Sequence, residues 1–312
     1  MSVAVCLLLY SLTTLVAGPP LLRELTRHGH APRFGVAAWL AAITSVLLSW
    51  LAAVGLILAE VAAHWAYPRA LAASCLARLH GLMAENPRVA TVLLGVIVAA
   101  LVLLLGVAGV RLTATVWRMR SRAREHAEAV LLVGRPSGDA YVVVEAAEPA
   151  AYCVSGRPAA IVVTSAALAA LNDDELAAIL AHERAHLRGH HSLVVTALRG
   201  LAAVFPMLTL MRDGASHVSR LLEMCADDAA VRRHGSGALL SGLITMCRAA
   251  PAGALAAAEV AVLARVERLA MPPGDPSIGR ARAALISVVA VMAAAPIMVA
   301  ALTASGILLC RM

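Results

Sequence analysis

Long apolar runs separated by arginine-bearing connections dominate the hydropathy pattern of this 312-residue chain. The first runs from Val3 to Ala17 and is closed by Gly18-Pro19-Pro20. No basic residue precedes Arg23, so the run lacks the charged start of a signal peptide and reads as a membrane span. Val36 to Ala59, Val89 to Val110 and Ala283 to Leu309 follow, each long enough to cross a bilayer. Between the second and third, Leu71, Cys75, Leu79 and Leu82 recur at helical spacing. They predict a short helix packed on the ends of the spans.

Between the third and fourth spans the period changes. Tyr141 to Glu145, Ala150 to Val154 and Ala159 to Thr164 are short strand-type runs, the last two joined by a Ser155-Gly156-Arg157-Pro158 turn. Thr164 to Leu171 predicts a short helix. Asn172 to His191 predicts a longer one, with Asn172 and Glu175 spaced as a capping box and Gly189 at its end. Ser192 to Met211 is apolar but carries Arg199, Gly200 and Pro206, which suits a buried or membrane-apposed helix pair covering the active site better than a span. Leu221 to Val231 and Leu239 to Leu269 read as further helices, and Met271 to Pro276 breaks the chain. The expected architecture is a mainly α polytopic membrane protein: four transmembrane helices with an inserted α+β domain. Its parts are a three-span region (1–117), the inserted domain (118–282) and a final span (283–312).

Composition agrees with a bilayer as solvent. Hydrophobic residues make up 61% of the chain and charged residues 14%, against roughly half and a quarter in soluble domains. The net charge of +7 would suit nucleic acid, but all 26 basic residues are arginines that flank apolar runs, with no stripe interleaved by aromatics. Direct nucleic-acid binding is therefore not expected. Arg111, Arg118, Arg120, Arg122 and Arg124 after the third span, with Arg280 and Arg282 before the fourth, place the inserted domain in the cytoplasm of a cell membrane and the N-terminus outside. The six cysteines show no C-x-x-C spacing, so neither a disulfide framework nor a zinc ribbon is expected.

Chemistry concentrates in the Asn172–His191 helix, which contains His182-Glu183-Arg184-Ala185-His186. Residues at i and i+4 share a helix face, so two imidazoles can converge on one Zn2+ per chain. Glu183 beside them suits a general base toward a water made acidic by the metal. A third protein ligand is needed. Glu223 and Asp227, at i and i+4 in an apolar helical run, supply a candidate ligand and a candidate hydrogen-bond acceptor for the far nitrogen of a ligand histidine. His190 and His191 read as helix-end residues, and His234 is a weaker candidate for stabilising an oxyanion.

His182-Glu183-x-x-His186 combined with Glu223-x-x-x-Asp227 resembles the gluzincin metallopeptidases. The phrase Asp-Glu-Leu-Ala-Ala-Ile-Leu-Ala-His-Glu, preceded by Ile-Val-Val-Thr-Ser-Ala-Ala-Leu, is similar to two membrane branches of them. One contains the CAAX-prenyl and heat-shock proteases, the other the BlaR/MecR-type signal transducers of the beta-lactam response. Three spans, a zinc domain and a fourth span resemble the second layout. That resemblance implies a membrane-anchored zinc endopeptidase in an antibiotic-response role. Its protein substrate would be cytoplasmic, such as a winged-helix repressor. The transducers continue past the fourth span into an extracellular penicillin-binding sensor, which this sequence does not contain, so direct acylation is not part of the expectation. The alternatives are a quality-control protease of the heat-shock type and a catalytically silent receptor.

Overall fold

The computed structural model describes residues 2–63, 87–137, 141–154, 156, 159–248, 256–271 and 274–304. The predicted helix through Leu71, Cys75, Leu79 and Leu82 lies outside them, as does most of the Ser155–Pro158 turn. Helices α1 (Ser2–Thr26), α2 (Pro32–Ala63) and α3 (Pro87–Val133) come first. Strands β1 (Arg135–Ser137), β2 (Tyr141–Val144), β3 (Ala151–Val154) and β4 (Ala160–Thr164) follow, then α4 (Ser165–Ala170) and α5 (Asp173–Arg188). Helices α6 (His191–Val204), α7 (Thr209–Arg248), α8 (Ala256–Ala270) and α9 (Asp275–Ala304) complete the described chain. It is mostly helical with one small mixed sheet, and α1, α2, α3 and α9 are each long and apolar enough to cross a membrane.

Two helices extend past their predicted ends. The first does not stop at Gly18-Pro19-Pro20 but continues to Thr26. Proline costs the helix a hydrogen bond and crowds the preceding turn, but this segment packs on α7, where Gly18 lies against Leu210. The third runs unbroken from Pro87 through its arginine cluster to Val133, crossing the expected boundary at 117/118. Its far end is built against the sheet, since buried Ala127 and Val130 pack on Val154 and Val162. One continuous helix thus joins a candidate span to the sheet.

The sheet order is β1-β2-β4-β3. β2 and β4 are parallel, while β1 and β3 are antiparallel edge strands. Sequence periodicity missed β1, a three-residue strand whose residues are mostly exposed and carry no alternation to detect. β4 is the buried strand, with Ile161, Val162 and Val163 all under one-tenth exposed. Ile161 and Val163 join Ala178, Ile179 and Leu180 of α5 in one core.

The Ser192–Met211 segment forms α6 and the start of α7, joined by a turn around Phe205–Leu208. The pair and the helical turns after it pack along α1 and α2: Leu198, Leu201, Leu210, Met211 and Val218 share a core with Leu22, Trp39, Ile43 and Val46. Phe205 meets the edge of Trp50 at 5.9 Å, and Trp39 stacks on His217 at 5.3 Å. Aromatic contacts and apolar burial outweigh the poor span composition, and Arg199 is left exposed.

Candidate metal centre

Local sequence dictates the placement of α5. The Asn172 side chain accepts from the Glu175 N–H at 3.0 Å, and the Glu175 carboxylate accepts from the Asn172 N–H at 3.0 Å. This reciprocal cap fixes where the helix starts. Glu175 also takes a short hydrogen bond from Ser241 of α7, tying the two helices together. Across that contact α5 presents His182 and His186 to Glu223, and the three donor atoms lie within 4.8 Å of one another.

The separations fit a metal. His182 Nε2 lies 3.1 Å from His186 Nε2, and the Glu223 oxygens lie 3.4 Å from the first and 3.6 Å from the second. Ligand atoms arranged tetrahedrally around zinc at about 2.0–2.1 Å stand about 3.3–3.5 Å apart, which these distances bracket. Two nitrogens and one carboxylate oxygen are also the donor set of a catalytic zinc that keeps one position open.

Residues 116–215 match the model of Peptidase family M48. No curated protein and no solved structure gives a match. M48 is a family of zinc metallopeptidases, and metallopeptidase activity is what the match implies. The matched stretch carries the His182-Glu183-x-x-His186 sequence and the sheet but ends before Glu223 and Asp227. Geometry alone brings those two carboxylates to the M48-matched part.

Three further groups hold the imidazoles. Asp227, fully buried, places Oδ1 3.0 Å from His182 Nδ1. Arg265 of α8 clasps the same carboxylate through Nη2 at 2.6 Å and Nε at 2.9 Å, and its Nη1 lies 3.4 Å from Glu223. His191 Nδ1 lies 2.9 Å from His186 Nδ1. The turn that aims it runs through His190, whose φ of 50° is left-handed and costs a non-glycine residue about 1–2 kcal/mol. His191 therefore does more than end a helix. Burial first, then the neighbouring His186, lowers its pKa to about 4. A neutral His191 can accept from His186 Nδ1–H, which leaves the Nε2 lone pair for a metal.

Neither Arg265 nor this role of His191 was legible in the sequence. Arg265 stands in a helix whose residues carry no motif, and its partners are 38 and 83 positions away. Cys153 on β3 also joins the group without a motif to mark it; its thiol hydrogen-bonds Glu183, and burial followed by the Glu183 charge pushes it up to about 12. His234 is not brought to the group. It is exposed, and the helix from Glu223 to it is unbroken, an axial rise of about 16 Å. The break comes one residue later, at Gly235 with φ of 79°. Arg265, whose Nη1 lies 3.4 Å from Glu223, is a cation that the structure does bring to the group.

Electrostatics predict a pH dependence for metal uptake. Burial alone would lower His182, but hydrogen bonds to Asp227 and Glu223 outweigh it and raise the imidazole to about 9. Only the neutral ring can ligate, so a proton must leave below that pH. Zinc affinity should rise about tenfold per pH unit up to about pH 9 and then level off. Competition against a chelator at pH 6, 7 and 8 measures it. An affinity flat across that range contradicts the assignment of His182.

Proposed function

We propose that the chain is a membrane-anchored zinc endopeptidase that cleaves a cytoplasmic protein at one extended site, in a signalling role like that of the BlaR/MecR transducers. The observation that carries this reading is the convergence of His182, His186 and Glu223 beside Glu183. Zinc held by those three residues would supply Lewis acidity, polarising a scissile carbonyl and lowering the pKa of water. The rest is done by the chain. Burial raises the Glu183 carboxyl above the usual range, so it can accept a proton and return it to the leaving amine. Asp227 and His191 fix which nitrogen of each imidazole is free. Edge strand β3 packs against α5 on one side of the sheet. A substrate segment added to its open edge would run past Glu183, held by main-chain hydrogen bonds that do not depend on sequence.

The cytoplasmic site and the repressor substrate follow from the arginine distribution and from the resemblance in layout. The experiment is comparative N-terminal profiling of cells carrying the wild type or Glu183→Gln. One new N-terminus in a DNA-binding protein, lost in the variant, supports the signalling role. Many new termini across damaged membrane proteins would replace it with quality control. No difference between the two profiles would remove the peptidase reading.

A further inference from the structure

Four arginines converge where the spans meet the inserted domain. A cavity of about 510 Å³ is lined by Arg33 and Phe34 at the start of α2, Arg232 of α7, Arg268 at the end of α8, and Ile278 and Arg282 at the start of α9. Its only acid is Asp228, which accepts from Arg268 at 2.7 Å. Arg268 also donates to the Gly29 carbonyl at 3.2 Å, so that pair is structural. Arg33 and Arg232 make no ion pair among the described residues, and Arg282 lies over the Phe34 ring at 5.0 Å. Four guanidinium groups against one carboxylate leave three uncompensated charges around a space large enough for a small ligand.

The apolar surroundings say what kind of anion fits. Arg282 begins the apolar part of α9, a candidate membrane span. Ile286 stands one turn below it and Ile297 three turns further on the same face, 43% and 71% exposed. A molecule with its charge at Arg282 can therefore lay a hydrocarbon chain along α9. A free phosphate would use the arginines but not this face. Guanidinium forks suit phosphate oxygens, and basic pockets at the ends of spans are where anionic headgroups collect.

We propose that this cavity binds the phosphodiester headgroup of an anionic phospholipid, with its acyl chains along the exposed face of α9. The proposal rests on the chain lying in a membrane, which vesicle flotation tests separately. The full chain is first floated with phosphatidylcholine vesicles. It is then purified in neutral detergent and titrated with short-chain phosphatidylglycerol, short-chain phosphatidylcholine or inorganic phosphate, following thermal unfolding. Phosphatidylglycerol should protect at a concentration at least about tenfold lower than phosphatidylcholine. Arg33→Glu/Arg232→Glu should abolish that preference while still floating and still responding to phosphatidylcholine. Both residues are exposed and outside the Asp228–Arg268 pair, so the fold does not depend on them. Equal protection by the two lipids, or a preference that survives the double variant, overturns the proposal. Protection by phosphate alone, with the same arginine dependence and nothing added by the lipid, overturns it in favour of a soluble anion. A chain that does not float loses the membrane reading and this proposal together.

Discussion

Glu183→Gln should lower kcat/KM for peptide cleavage by about 10³-fold while leaving one zinc per chain, because it removes a proton acceptor without touching a donor atom. The three metal-facing atoms belong to His182, His186 and Glu223, and Glu183 is not among them. Glutamine keeps the size and the hydrogen-bonding reach of glutamate, so the thiol of Cys153 still has a partner and the helix is not disturbed. What changes is basicity. Burial raises the Glu183 carboxyl, with the two imidazoles pulling the other way. At acid pH and saturating zinc the wild-type residue is itself protonated and its activity should fall, whereas any residual activity of the glutamine form should lack that limb. Metal analysis alongside cleavage of a peptide spanning the mapped site reads both quantities. A variant that cleaves at the wild-type rate takes the base role away from Glu183; a variant that has lost its zinc makes the residue a structural support of the metal.

Local features of this site were readable from sequence and long-range ones were not. The capping box at Asn172 and Glu175, the i, i+4 pairing of His182 with His186 and the strand runs up to Thr164 depend on residues within a few positions of one another. A period or a cap is enough to find them. Glu223 and Asp227 were legible as a pair because acids are scarce in an apolar run, though only the contact between α5 and α7 shows what they face. Arg265 was invisible for the opposite reason: arginine is the commonest charge in this chain and one more within a helix carries no signal. His191 reads in sequence as the end of a helix because its role depends on a left-handed turn at His190 that no residue type there announces. The end of the first apolar helix is a similar case. Gly18-Pro19-Pro20 is a stop signal by propensity, and packing against Leu210 overrides it.

Arg265→Met should destabilise the inserted domain by about 3–5 kcal/mol and weaken zinc binding about 10- to 100-fold, although Arg265 holds no metal itself. Its side chain, together with the His182 ring, is what holds the charge of Asp227, a carboxylate with no exposed surface. Without the two-pronged contact at 2.6 and 2.9 Å, Asp227 would keep its charge in a buried place with only the His182 N–H for a partner. Removing one member of such a pair costs far more than the pair itself contributes, because the remaining ion is stranded. The carboxylate can escape by taking a proton, but it then holds His182 less firmly and the nitrogen facing the metal loses its fixed orientation. Arg265→Lys should not rescue the site, since an ammonium cannot bridge both oxygens and still reach Glu223. Asp227→Asn combined with Arg265→Met should recover part of the stability and none of the zinc affinity. Denaturant unfolding of the full chain in detergent, paired with zinc competition, separates the two effects. Unchanged stability in Arg265→Met would mean that Asp227 is already neutral, and the chain of contacts from Arg265 through Asp227 to His182 would then carry no charge to the metal centre.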